Sequence, residues 1–481
     1  MKEYRKFYSS LGLLILLNVL IKPAWIFFVD RQVQNVVGAE EYGIYFSLLN
    51  FSFVFFFLLD WGLTSFFNRQ FAAQEIRETY IGDFLLTRLF FVLVYLVIIL
   101  LVGKFSGISR WNLLWKAAGI QILTSVFLFL RSIITAEQWF RTDAWLSVLD
   151  KSMMILVCGS FLYIPSVFGT MTVDRFLLVQ LACTGFAVLC TIFILLSNNI
   201  KIFRIKKGFI DLKTFKAALP FGIVILLMGA HYKLDGFLLE RIHRNGAYEA
   251  GLYAGAYRLL DAANMICFLY ASFLLPFVAR RESQKQNIQD VVLNGRHLLV
   301  VFALLTGIIA VFMAPWIQAT LYHNNDTAAI TIIQWCLPSL LGYSLVQVYG
   351  TVLTATGNII PFSYVVLVSM IVNIVLNLLL IPSLGAKGCC IAALVSQGCC
   401  GIMAMLYANK KCGINIHSRS LLMYIFIGLT GAGLFYLTMN MGISGLLRIA
   451  GVSVVVIALT FITGLFKINQ WTQFFKQTNT N

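Results

Sequence analysis

Eight charged side chains sit inside stretches otherwise apolar enough for a lipid bilayer. They are Lys22, Asp60, Asp150, Lys151, Lys233, Asp235, Arg258 and Asp261. An ion at membrane depth is expensive. It persists where it pairs with another ion, faces a water-filled cavity or binds a charged ligand. Lysine and arginine there are anion ligands, and arginine grips a phosphate with two parallel hydrogen bonds. Lys22, Lys151, Lys233 and Arg258 are therefore the candidate substrate-binding residues. Asp60, Asp235 and Asp261 are candidate charge partners. Arg258 and Asp261 are three apart and share a helix face; His231 and Asp235 are four apart and share another. Histidine titrates near neutral pH, which makes His231 with Asp235 the candidate coupling pair. The competing reading is structural: the same residues form internal salt bridges that hold helices together. For Arg88, Lys116 and Arg448, nearer the ends of their runs, snorkelling to the interface is the expectation.

The elements that carry these residues follow from composition. Of 481 residues, 60% are hydrophobic and 12% charged, against about 25% charged in a soluble domain. Runs such as "FLLTRLFFVLVYLVIILLVG" are long enough to cross a bilayer, which takes about 20 residues. Each span must satisfy its own backbone, so the spans are helices, and continuous apolar runs exclude a β-barrel. Spans fall near 11–29, 42–67, 84–103, 113–134, 144–164, 176–197, 216–240, 251–279, 297–322, 330–355, 361–382, 388–408, 421–439 and 444–466. The expected fold is an all-α polytopic membrane protein of about fourteen helices. The first run contains Lys22 and Pro23 and lacks a small-residue cleavage site, so no cleavable signal peptide is expected. A cytoplasmic N-terminus puts Lys2, Arg5, Lys6, Arg69, Arg77, Arg131, Arg141, the cluster Lys201 to Lys216 (with Lys207), Arg280, Arg281, Lys285, Arg296, Lys410, Lys411, Arg419, Lys467 and Lys476 inside. That is about a threefold bias over the other loops, so both termini face the cytoplasm. The net charge of +16 then marks topology and contact with anionic lipid, and points away from nucleic acid.

One segment occurs twice. "GAEEYGIYFSLLN" at 38–50 returns as "GAYEAGLYAGAYR" at 246–258, with Gly38, Ala39, Glu41, Gly43 and Tyr45 matching Gly246, Ala247, Glu249, Gly251 and Tyr253. The tripeptide Ile164–Pro165–Ser166 closes helix five, and Ile381–Pro382–Ser383 closes helix eleven. The chain divides into an N-terminal six-helix bundle (1–200), a basic cytoplasmic linker (201–215), a C-terminal six-helix bundle (216–412) and two further helices with a tail (413–481). Six helices per repeat give both bundles the same topology, the parallel-repeat arrangement of transporters, with a site expected at the interface of the two bundles. Pro23 and Pro220 lie in the equivalent helices one and seven, where each removes a backbone donor and allows a bend.

No zinc-protease helix, P-loop or nucleophile elbow occurs, so no enzyme and no cofactor is expected. The ten cysteines lie almost all within apolar runs, as small residues for close packing rather than as metal ligands.

"LNLLLIPSLGAKGCCIAALVSQ" (376–397), "GLYAGAYRLLDAANM" (251–265) and "LTATGN" (353–358) resemble the polysaccharide-exporter branch of the multidrug/oligosaccharidyl-lipid/polysaccharide superfamily. The resemblance covers most of the chain and rests on Gly, Ala and Pro, which specify fold better than substrate. It implies a flippase of a bacterial inner membrane that moves an undecaprenyl-diphosphate-linked oligosaccharide outward, for O-antigen, capsule or exopolysaccharide. Implied partners are the lipid-linked oligosaccharide, membrane lipids, and the polymerase and glycosyltransferases of the same pathway. A cation-coupled drug exporter and a lipid II flippase remain open as alternatives. So does a membrane scaffold without transport.

Overall fold

The computed structural model describes residues 2–64, 66–67, 81–206, 208–322, 326–414 and 418–466, with side chains from residue 12 onward except at 283 and 418. The side chains of Lys2, Arg5 and Lys6 and the whole of Arg69, Arg77, Lys207, Lys467 and Lys476 lie outside this description. The chain is an all-α polytopic membrane protein, and no strand occurs among the described residues. Thirteen described helices are long and apolar enough to cross a bilayer. They are α1 (Gly12–Val37), α2 (Ala39–Asp60), α3 (Ile81–Phe105), α4 (Trp111–Ala136), α5 (Phe140–Tyr163), α6 (Val173–Ser197), α7 (Leu212–Ile242), α8 (Gly246–Glu282), α9 (Gln289–Tyr322), α10 (Thr327–Ala355), the run Ile359–Cys412, α13 (Arg419–Thr438) and α14 (Gly445–Ile462). The run Ile359–Cys412 bends at Gly385, whose φ of 55° is closed to most side chains. Its two limbs, α11 (359–384) and α12 (386–412), are each long enough to span. The expected count of about fourteen is met in this way.

Helix ends follow local sequence. Asp211 and Asp326 accept from the backbone of Thr214 (3.3 Å) and Ala328 (2.9 Å) at the starts of α7 and α10, and Thr172 does the same for α6. Each satisfies a donor that a helix start leaves open. In α1, Pro23 precedes a π-helical turn over Trp25–Asp30. Such a turn inserts one extra residue and so rotates everything after it by about 100°.

The chain forms two compact units. The first contains residues 1–258 and 359–392. Its core packs Phe67, past the end of α2, with Phe84 of α3 and Phe129, Leu130 and Ile133 of α4. Outward residues of α3 such as Leu89, Leu93 and Val97 are exposed, as lipid-facing residues are. Helix α2 lies along α7, with glycine at the close approaches. A Cβ on Gly222 would stand 2.8 Å from the Trp61 carbonyl carbon, and one on Gly236 would stand 2.6 Å from Asn50 and Phe46.

The duplicated segment has a place in this unit. Both copies form the first turns of a helix, α2 and α8, and the two copies pack directly on each other. A Cβ on Gly43 would strike the Ala247 carbonyl, and a Cβ on Gly251 would strike the Ala39 carbonyl. Ala39 matches Ala247 in the repeat and Gly43 matches Gly251, so the contact is reciprocal. The duplicated glutamates each fasten a neighbouring loop. Glu41 takes a two-pronged bond from Arg110 (2.6 and 3.1 Å), and Glu249 accepts from the Ala386 N–H (2.8 Å) just past the Gly385 bend.

The second unit contains residues 259–358 and 393–481. Its core joins Val301 and Met313 of α9 to Ile427 and Phe435 of α13 and Val452 and Val456 of α14. Helix α10 passes through a 3-10 turn at Leu337–Ser339. Arg448 covers the carbonyls of Met439, Met441 and Ile443 at the start of α14.

Candidate functional site

The first unit gathers cations and aromatic faces along α1, α2, α5, α7 and α8. Arg258, in the fourth turn of α8, forms an ion pair with Asp30 (2.6 Å), and its Nε donates to the Tyr42 hydroxyl (3.3 Å). Tyr42 in turn donates to Asp30 Oδ2 (2.8 Å). Asp30 is 1% exposed and its Oδ1 has no hydrogen-bond partner, whereas the Arg258 side chain keeps 18% exposure. The guanidinium carbon stands 5.6 Å from the Phe46 ring centre. The π-helical turn of α1 precedes Arg31 and sets the register in which Asp30 meets α2 and α8. Gln34, one turn on, donates to the Gly251 carbonyl (2.9 Å) and ties α1 to the start of α8.

Two lysines repeat the cation-over-ring arrangement. Lys233 stands 4.6 Å from the Tyr257 ring, and Lys151 stands 5.4 Å from Trp25. Lys151 also meets the Asp150 carboxylate at 3.3 Å. Lys22, part-buried on α1, lies within electrostatic reach of Asp150, Lys151 and Arg131. Trp25 stacks on Phe176 (5.8 Å, 9° between planes), and Tyr45 leans on the same ring and accepts from Gln180 (3.0 Å).

The proposed partners divide differently. Asp60 is buried and pairs with Arg88, which also donates to Ser125 Oγ (2.9 Å) and lies over the Phe129 ring (4.6 Å). Arg88 is 3% exposed, so the expectation that it snorkels fails. A carboxylate one helix away holds it inside the unit. Lys116 reaches a half-exposed Asp174. Asp60, Thr64, Ser125, Arg131 and Asp143 line a cavity of about 310 Å³. Arg131 and Asp143 face each other there in a two-pronged pair (2.8 and 3.1 Å).

Asp235, 3% exposed, has both oxygens taken by other helices. Asn377 donates to Oδ1 (2.8 Å) and Tyr253 to Oδ2 (3.2 Å). Asn377 also donates to Asn373 Oδ1 (3.1 Å). The His231 ring, equally buried, stacks beside Tyr232 (5.8 Å). Asn377 thus spends its amide N–H groups on Asp235 and Asn373, while its own Oδ1 is buried without a hydrogen-bond partner. Asp261, part-buried, belongs to the stretch of α8 in the second unit.

Sequence reasoning missed Asp30, Tyr42, Asn373 and Asn377. Asp30 stands just past the apolar run, next to Arg31, where a span boundary is expected. Asn373 and Asn377 carried a usable signal: two amides four apart inside an apolar helix face one neighbour, and such amides bond across helices.

The sequence profile of the polysaccharide biosynthesis protein family matches residues 10–282, more than half of the chain, and the MatE profile matches 252–379. No curated protein sequence matches significantly. Among solved structures, a lipid II flippase, MurJ, in an inward closed conformation superposes with a TM-score of 0.71 at 12% identity, over 94% of this chain and 98% of that one. An inward-facing multidrug resistance MATE family transporter of the MOP superfamily gives 0.61 at 13%, over 81% and 94%. A MOP superfamily transporter from Pyrococcus furiosus gives 0.60 at 12%, over 85% and 95%. At such identities the likeness is one of fold.

Proposed function

Because the chain belongs to the polysaccharide biosynthesis protein family, within the multidrug/oligosaccharidyl-lipid/polysaccharide exporter superfamily, we propose that it flips undecaprenyl-diphosphate-linked oligosaccharide repeat units across the bacterial inner membrane. Movement is by alternating access, both termini are cytoplasmic, and the product feeds O-antigen, capsule or exopolysaccharide assembly.

One observation carries the substrate class: three cations at membrane depth, Lys151, Lys233 and Arg258, each lie over an aromatic ring. A sugar diphosphate asks for that combination. The diphosphate needs fixed positive charge in a poorly solvated site, and a sugar needs an aromatic face beside it. In this reading Arg258, Lys233, Lys151 and Lys22 bind the headgroup. Asp30 holds the Arg258 fork in place, with Asp261 three residues along as a further charge partner. Asp235 and His231 take the coupling role, and Asp60 neutralises Arg88.

The experiment is rescue of surface polysaccharide in cells lacking their own repeat-unit flippase. Wild type restores it. Arg258→Ala abolishes it, and Arg258→Lys, which keeps charge but loses the fork, lowers it about tenfold. Full export by Arg258→Ala removes the assignment. The solved lipid II flippase of like fold supports a second reading, lipid II itself, since the diphosphate is common to both. Rescue of cells depleted of their lipid II flippase, with no rescue of repeat-unit export, selects it. A drug exporter of cationic compounds is disfavoured, because two in-span aspartates, Asp30 and Asp60, are spent on arginines.

A further inference from the structure

The second unit buries an arginine that the transport reading does not use. Arg296, on α9, is 2% exposed, and its Nε and Nη2 have no hydrogen-bond partner. Among the described residues no carboxylate meets it as an ion pair. The buried Tyr349 hydroxyl of α10 adjoins the guanidinium, close enough to feel its charge but without the geometry of a hydrogen bond. Tyr424 of α13 presents its ring to Arg296 at 6.0 Å, and its hydroxyl is held by His297 Nδ1 at 2.6 Å.

We propose that Arg296, Tyr349 and Tyr424 form a binding site for a phosphate-type oxyanion, separate from the Arg258 cluster. Nε and Nη2 lie on one edge of the guanidinium and point the same way. Their spacing matches two non-bridging oxygens of a phosphate. The Tyr349 hydroxyl beside the guanidinium can supply a further donor. A buried cation with two unspent donors is costly, because each has given up water for nothing. An anion that brings acceptors and charge together removes both penalties.

Depth and access favour a phosphate. Arg296 lies seven residues after the start of α9, Tyr424 five after the start of α13, and Tyr349 six before the end of α10. At 1.5 Å per residue all three sit about 8–10 Å along their helices from the same end of the unit. That end carries Arg280, Arg281, Lys285, Lys410, Lys411 and Arg419 against Glu282 and Asp290, a balance that concentrates anions. Tyr424 is the outer wall. It is part-exposed, on a helix whose Leu421, Leu422 and Ile425 face outward, so rotation of one ring opens the site to the lipid side.

The test measures the melting temperature of the purified full chain in detergent with three additions: phosphatidylglycerol, phosphatidylcholine and inorganic phosphate. Phosphatidylglycerol raises it by about 2 °C or more, and phosphatidylcholine, zwitterionic, does so less. A response to phosphatidylglycerol alone identifies a lipid headgroup as the ligand. A response to inorganic phosphate as well identifies the bare anion. Arg296→Gln abolishes either response, and Lys116→Gln, at a cation of the first unit paired with the half-exposed Asp174, keeps it. If Arg296→Gln does not fold, Tyr349→Phe decides, because it keeps the ring and removes one donor; its half-maximal concentration rises about tenfold. No anion response in wild type overturns the site. An unchanged response in Arg296→Gln does so too, as does an unchanged response in Tyr349→Phe where that variant has to decide.

Discussion

At the residue scale, Arg88 on α3 and Arg258 on α8 have opposite surroundings. Arg88 and Asp60 are both buried and pair with each other. Removing one partner strands the other, which costs about 3–5 kcal/mol, while replacing both with apolar residues of similar size is close to neutral. Arg88→Met therefore lowers the melting temperature sharply, and Arg88→Met with Asp60→Leu recovers most of it. A double variant as unstable as the single one refutes the structural role. Arg258 is different because it keeps exposure while Asp30 has none. Arg258→Gln with Asp30→Asn removes both charges, so the protein inserts in normal amount and still fails to export. Normal export by that double variant excludes Arg258 from binding the headgroup.

At the element scale, the duplicated segment has a mechanical consequence. The Gly43 and Gly251 contacts are against backbone, which cannot move aside as a flexible side chain can. A methyl at either position forces the starts of α2 and α8 apart. Gly43→Ala and Gly251→Ala are thus expected to lower flux to a similar extent, and the double variant to be less than additive, since one contact is lost in each case. Transport measured on all four proteins checks this; independent, fully additive losses count against it. The π-helical turn in α1 belongs to the same scale. It spans Trp25–Asp30, so it sets the rotation of Asp30, the partner of Arg258, relative to Lys22 earlier on the same helix.

At the scale of the whole molecule the question is what drives the flip. A proton shifts a two-state protein only by binding one state better than the other. His231 and Asp235 are buried on α7, and Asp235 is held by Asn377 of α11 and Tyr253 of α8. A change of charge at Asp235 is felt by three helices at once. Flux of a labelled lipid-linked sugar in proteoliposomes with an imposed pH gradient tests the pair. Wild type responds to the gradient, and His231→Gln and Asp235→Asn lose the response while retaining gradient-independent flux. Equal responses in all three proteins remove the pair from coupling and leave the membrane potential acting on the headgroup.

Sequence alone determined the solvent, the helical class and nearly every span, because a bilayer demands about 20 apolar residues and a self-satisfied backbone. Both limbs of Ile359–Cys412 were legible as separate spans, since Pro382 and Gly385 mark the bend. The duplication was legible too, and so were the cations worth asking about. Pairing was not. Helical spacing puts Asp261 three residues from Arg258 and His231 four from Asp235, yet Arg258 meets Asp30, 228 positions earlier in the numbering, and Asp235 meets Asn377, 142 residues on. Arg88 looked like a residue that reaches out to the interface and instead turns inward to Asp60. Spacing along one helix fixes which side chains share a face, a local property. Which face meets which neighbour depends on how helices distant in sequence pack, and only the tertiary structure decides that.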